Sequence, residues 1–185
     1  MGAAGLRALR ARGHDRGLIL DPLRAATNAI LVAFVLVVMY TDWRYRRIPN
    51  VVTYPAMLAG LILAGMEAFP GAIAGRGLLD HAAGIVVAFL VVWPLNRMGG
   101  IKAGDGKLLM AVGALRGVEF FFYSFFYGAI LGGVLALVLI GLARLDPPDA
   151  PQQGRFWTMM KSQVPYGIAL GGGALVALAR EVLGA

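Results

Sequence analysis

The sequence predicts an all-α, polytopic membrane protein of about six transmembrane helices. Two observations carry that prediction. Of its 185 residues, 59% are hydrophobic and only 15% charged, whereas a soluble domain carries roughly 25% charged residues. The mean hydropathy is +0.73, and the apolar residues are gathered into long runs. A helix needs about 20 such residues to cross a bilayer, with roughly 17–25 tolerated.

Residues 1–24 are polar and contain Arg7, Arg10, Arg12, Arg16 and Arg24. They hold no apolar stretch long enough for a signal-peptide core, so they read as a basic tail rather than a cleaved signal. Residues 25–185 form the transmembrane domain. Its apolar segments fall at 25–40, 51–69, 78–98, 107–115, 118–142 and 164–183. The fourth is too short to cross a bilayer alone. It reads as a helix that begins partway into the membrane, leaves the glycine-rich loop 99–106 and turns back at Arg116 and Gly117. No soluble domain and no internal repeat is visible, and nothing in the sequence sets an oligomeric state.

Composition narrows the chemistry. The chain has no cysteine, which excludes disulfides, thiolate zinc sites and cysteine nucleophiles. His14 and His81 are its two histidines, too few for a histidine-rich metal site. No metal and no organic cofactor is expected. The net charge of +7 could suggest nucleic acid. Most of the basic residues flank apolar runs, however, where they orient helices and meet anionic lipid head groups. Membrane lipid is therefore the expected partner, and nucleic acid is not.

Loop charge gives the orientation. Arg44, Arg46 and Arg47 follow the first segment. Arg97, Lys102 and Lys107 lie between the third and fourth, and Arg144, Arg155 and Lys161 between the fifth and sixth. The opposite side has Arg76, Arg116 and Arg180 beyond the tail. Positive loops stay in the cytoplasm, so these three loops are expected there. The five tail arginines would then lie outside, against the rule, and the placement of the tail stays open.

Acidic residues sort by side. Glu67, Asp80, Glu119 and Glu181 fall at external helix ends, Asp15 and Asp21 in the tail, and Asp146 and Asp149 in a proline-rich loop. Asp42 and Asp105 remain, each at the cytoplasmic end of an apolar segment, where a carboxylate is costly unless solvated, paired or used. Position alone leaves two readings. Each could be an interfacial ion pair with Arg44, Arg46 or Lys107. Alternatively, the bundle could bring the two together to share a proton and activate a water for attack on a peptide carbonyl.

The surrounding residues favour the second reading. Asp42 opens the stretch Asp42-Trp43-Arg44-Tyr45-Arg46-Arg47-Ile48-Pro49-Asn50-Val51-Val52-Thr53. Asp105 lies in Gly99-Gly100-Ile101-Lys102-Ala103-Gly104-Asp105-Gly106-Lys107-Leu108-Leu109, and a third stretch reads Val164-Pro165-Tyr166-Gly167-Ile168-Ala169-Leu170. In this order, and at membrane ends, the three resemble the motifs of the type IV prepilin peptidases, aspartic peptidases of the GxGD type. The resemblance covers nearly the whole chain after the tail. It implies that Asp42 and Asp105 are the catalytic pair. It also implies a pilin-like precursor with an apolar helix as substrate, and action at the cytoplasmic face of a bacterial inner membrane. Without cysteines the chain is similar to the short form that serves tight-adherence (Flp-type) pili, and methylation is not expected. The first glycine of GxGD is Lys102 here, which puts the path of that loop in question.

Other features have simpler readings. Gly104 and Gly106 flank Asp105, where glycine allows unusual dihedrals and close approach of a substrate backbone. Gly106-Lys107 is followed by Leu108 rather than Ser or Thr, so a nucleotide-binding loop is excluded. Pro49 ends one helix and Asn50 suits the cap of the next, holding Asp42 at the rim. Arg44, Arg46 and Arg47 are expected as lipid anchors, or as contacts to acidic substrate residues. Phe120–Phe122, Tyr123, Phe125 and Phe126 read as an aromatic belt. Asp80-His81 reads as a capped helix start, and Phe156, Trp157, Met159 and Met160 as an interfacial segment. Two functions of other classes fit the carboxylates as well, a proton-coupled transporter component and a structural subunit of a secretion or pilus assembly. A transporter would place its ionisable groups near the bilayer midplane, not at helix ends.

Overall fold

A computed structural model describes residues 3–68, 75–143 and 166–183. Among them all regular structure is helical. In lipid no water is available to backbone N–H and C=O groups, so a helix that bonds them internally is the form such apolar runs must take. Helix α1 covers Ala3–Tyr45, α2 Asn50–Ala68 and α3 Gly75–Arg97. The next stretch, Ala103–Ala143, breaks at Gly117, whose φ of 80° and ψ of −174° lie outside helical space. We number its halves α4 (103–116) and α5 (118–143); α6 covers Tyr166–Leu183. Five stretches of the described residues are long and apolar enough to cross a membrane. The break divides the fourth of them, which gives the six helices expected. The chain is a multi-pass membrane protein.

Contacts set the direction of each helix. Asp42 in α1 meets Gly167 in α6, and Asn50 in α2 meets Lys107 in α4. At the other end Arg116 of α4 meets Asn28 of α1 and Glu181 of α6. Gly132 of α5 faces Tyr166 at the start of α6, whereas Ser124 lies against Gly173 further along it. So α4 runs away from Asp42 and α5 runs back, and the fold-back expected at Arg116 and Gly117 is present. The first span, Pro22–Tyr45, is the later part of a single helix that starts at Ala3. The basic stretch ahead of it is therefore continuous with the span in backbone.

At 1.5 Å per residue α4 is about 21 Å long, shorter than a hydrocarbon core. It survives there because it is sheathed by protein: Leu108, Leu109, Ala111, Val112, Ala114 and Leu115 are fully buried. Its crossing with α3 is close, since a Cβ on Gly113 would stand 2.5 Å from the Gly84 carbonyl oxygen. Small residues let helix backbones approach in this way. The outward faces are apolar. On α2, Val51, Tyr54, Leu58, Ile62 and Met66 are all exposed and recur every three or four residues, as a lipid-facing stripe must.

The aromatic belt is corrected in part. Phe120 and Phe121 are buried at 6% and 0% exposure, and Phe121 stacks on Phe125 at 5.9 Å, so they belong to the core. Phe122 and Phe126 are exposed and retain the belt position. Asp80 and His81 do not cap their own helix. The Val118 N–H donates to Asp80 Oδ1 at 3.3 Å, and His81 Nδ1 lies 2.7 Å from the Ala114 carbonyl oxygen. They meet the polar groups that the break between α4 and α5 leaves without helical partners. The loop with Arg144, Arg155 and Lys161, together with Asp146, Asp149, Phe156, Trp157, Met159 and Met160, lies outside the described residues.

Two basic loops, one after Tyr45 and one after Arg97, share the Asp42 end of the bundle, and Glu119 lies at the other. The orientation they imply is testable because the chain has no cysteine of its own. In intact cells, Arg46→Cys should be shielded from an impermeant thiol reagent and Glu119→Cys should be labelled. The reverse pattern would invert the topology.

Candidate functional site

The site is built where the ends of α1 and α3 meet the starts of α2, α4 and α6. Helix α1 ends at Tyr45 because Arg46 takes a left-handed φ of 55° and donates its N–H to the Asp42 carbonyl at 3.0 Å. This is the αL C-cap geometry, here without the usual glycine. It places Asp42 on the last turn of α1, 7% exposed. A carboxylate there faces the negative end of its own helix dipole. It is met from outside: the N–H of Gly167, second residue of α6, donates to Asp42 Oδ2 at 2.9 Å. That N–H is one of the donors a helix start leaves free, so Asp42 sits at the positive end of α6.

Asp105 is positioned by its own helix. The Gly106 N–H donates to the Lys102 carbonyl at 3.2 Å, which makes Lys102 the residue flanking α4. The Asp105 side chain turns back and accepts the Lys102 N–H at 3.3 Å through Oδ2. This is one half of a capping box, and the positive helix end favours the charge. Asp105 is 3% exposed, and the start of its helix lies against the segment that follows Asp42, through Ile48 and Asn50. Asp42 and Asp105, 63 positions apart in sequence, thus sit at one end of the bundle, each on a main-chain donor.

The glycine-rich loop divides into two tasks. Gly99 has φ 79°, its N–H donates to the Asn96 carbonyl at 3.0 Å, and the Gly100 N–H reaches the Leu95 carbonyl at 2.9 Å. These are the paired bonds of a Schellman motif, so Gly99 and Gly100 end α3. Asn96 Nδ2 then donates to the Ile101 carbonyl at 2.7 Å, fixing the approach to α4. Lys102 contributes main-chain atoms and has no left-handed φ. The position therefore makes no demand for glycine, which answers the question raised by the missing first glycine of GxGD.

Gly104 and Gly106 are helical, so the expectation of unusual dihedrals at Asp105 is corrected. Close approach is what remains. A Cβ on Gly106 would stand 3.0 Å from Val92 Cγ1, and one on Gly104 would touch Ile48 at 3.4 Å. Pro49 and Asn50 are also adjusted. The Pro49 carbonyl accepts the N–H groups of Val52 and Thr53 at 3.1 and 3.3 Å, so Pro49 flanks α2 and Asn50 is its first helical residue. The Asn50 side-chain oxygen takes the Lys107 ammonium at 2.8 Å, and Lys107 also lies 5.7 Å from the Tyr54 ring. Lys107 thereby ties α4 to α2 near the pair. Arg44 and Arg47 are exposed, with Arg44 over the Tyr45 ring at 5.5 Å. They stand at the rim, not in the pair.

Gly167 is the site residue that the sequence reading did not single out. Its signal was the Pro-Tyr-Gly motif, but only the tertiary fold shows which side chain its N–H meets. A Cβ at 167 would lie 2.8 to 3.0 Å from Asp42 Oδ2, Cγ and Cβ, so no larger residue fits without moving the carboxylate. Two carboxylates brought close together cannot both ionise easily and can share one proton. Such a pair can accept a proton from water and donate one to a carbonyl oxygen in the same step.

Residues 29–137 match the model of a family described as the type IV leader peptidase family, and both Asp42 and Asp105 lie inside that match. The chain is also similar to the prepilin leader peptidase/N-methyltransferase of Bacillus subtilis (strain 168), 30% identical over 129 residues. That alignment takes in 66% of this chain and 49% of the relative, so the chain spans about half the relative's length. No solved structure matches the chain.

Proposed function

Because the chain belongs to the type IV leader peptidase family, we propose that it is an aspartic endopeptidase that removes the leader from a pilin-like precursor of the Flp type. Asp42 and Asp105 are its catalytic groups, working at the cytoplasmic face of a bacterial inner membrane. The observation that carries this reading is the placement of two buried carboxylates at one end of the bundle, each on a main-chain N–H. The placement suits the substrate. A precursor whose apolar helix lies in the bilayer presents its leader junction at the membrane surface, level with helix ends.

One carboxylate takes a proton from a water as that water attacks the scissile carbonyl. The other, protonated, donates to the carbonyl oxygen, giving a tetrahedral diol. As the C–N bond breaks, the first carboxyl returns its proton to the amide nitrogen and the second carboxylate takes one from a diol hydroxyl, which releases the amine and the new acid and restores the shared-proton pair. With exposures of 3% and 7%, the pair is closed to bulk water at rest, so docking of the precursor must part the surrounding helix ends. The test is direct. Purified protein in lipid vesicles should convert a pilin-like precursor to a shorter product with a new N-terminus at the leader junction. Intact precursor after incubation with folded protein would reject the assignment.

A further inference from the structure

The polar cluster at the end remote from the carboxylates has no part in the reaction just described. It centres on Arg116, the last residue of α4, whose side chain is 11% exposed. Its Nη1 donates to Asn28 Oδ1 of α1 at 2.8 Å, its Nη2 bonds Glu181 of α6, and its guanidinium covers the Phe120 ring of α5 at 5.1 Å. The helices joined here are the ones that carry site groups at their other ends. Asn28 shares α1 with Asp42, Arg116 shares α4 with Asp105, and Glu181 shares α6 with Gly167. Asp105 and Arg116 are about 16 Å apart along α4 at 1.5 Å per residue.

We infer that Arg116 is a positioning residue, a clasp that ties α1, α4 and α6 together at the far end and so sets the relative placement of Asp42 and Asp105. The inference rests on the proposed peptidase reading for its activity arm only. Three features support it. A planar guanidinium can bond two partners on two helices at fixed angles, which a lysine ammonium cannot impose. A cation at the end of α4 also complements that helix's dipole. The neighbouring break needs an external brace, because Gly117 interrupts the helical backbone there. Asp80 and His81 of α3 brace the main chain on either side of that break, and Arg116 is what couples it to α1 and α6. An ordinary exposed ion pair between Arg116 and Glu181 would contribute little and would leave the distant pair unmoved.

Two readouts separate the clasp from a merely stabilising contact. Spin labels at Trp43→Cys and Ala103→Cys report the α1–α4 separation beside the carboxylates, and precursor cleavage reports kcat and KM. In Arg116→Gln the label distance should broaden and kcat fall about tenfold with KM little changed, because the substrate docks at the opposite end. The charge swap Arg116→Glu with Glu181→Arg should restore part of both. If Arg116→Gln does not fold, Asn28→Ala, which removes one tie alone, should give the same direction of change. A native distance distribution in a folded Arg116→Gln protein overturns the inference, and so does native kcat. If the unaltered protein cleaves no precursor, the peptidase reading fails, and the distance measurement still decides the clasp.

Discussion

Asp42→Asn and Asp105→Asn should each reduce precursor cleavage to background while leaving the protein folded and in the membrane. The loss expected from removing an acid or base is roughly 10²–10⁴-fold. Both variants should fold, because an amide oxygen can still accept the Gly167 N–H at position 42 and the Lys102 N–H at position 105. What the amide cannot do is take a proton from water or share one with its partner. The reading of both residues as interfacial ion pairs makes the opposite forecast: lower abundance and native activity per folded molecule. Measuring cleavage against membrane abundance separates the two. Normal turnover by either variant would remove that aspartate from the mechanism.

Gly167→Ala should be the second most damaging change, and it should act on turnover more than on stability. The added Cβ meets the Asp42 carboxyl at 2.8 to 3.0 Å, so the carboxylate must swing away and give up its bond to the Gly167 N–H. Overpacking of this kind costs roughly 1–3 kcal/mol. Alanine returns about 1 kcal/mol of helix propensity in α6, so thermal stability should fall only modestly. Turnover should drop by one to two orders of magnitude, at about 1.4 kcal/mol per tenfold of misplacement. A thermal scan in detergent together with the cleavage rate checks this. Native turnover in Gly167→Ala would show that the donor at 167 does not hold Asp42 in its working position.

Much of this arrangement was legible in the sequence, for physical reasons. Long apolar runs with flanking cations have one solution in lipid, so the helices and their common basic end follow from composition and order. A carboxylate at the basic end of an apolar segment stands out in a chain with so few acids, which marked Asp42 and Asp105 as candidates, and the resemblance of their surroundings to the prepilin peptidase motifs selected the paired reading over ion pairs. The short fourth segment was legible because its length could not span and Gly117 followed it. What escaped depended on facing partners. Phe120 and Phe121 look like neighbours of Phe122 in sequence, but helical rotation turns two inward and one out. Gly99 and Gly104 both sit in a glycine-rich loop, yet one ends α3 in a left-handed turn and the other is already helical in α4. Asn50 has the chemistry of a cap and is used instead by Lys107. The bond from Gly167 to Asp42 joins residues 125 positions apart, and no local pattern carries that pairing.

The pairing of Asp42 with Asp105 is best measured by cross-linking in the membrane, where the absence of native cysteine gives a clean background. Asp42→Cys and Asp105→Cys are introduced together, the protein is treated in vesicles with a short bifunctional thiol reagent, and the reagent groups added per unfolded chain are counted by intact mass. The result expected is a double variant that gains a single reagent linked at both ends, while each single variant gains one reagent attached at one end. A folded double variant that gains two reagents, each attached at one end, would contradict the pair, and with it the mechanism built on it.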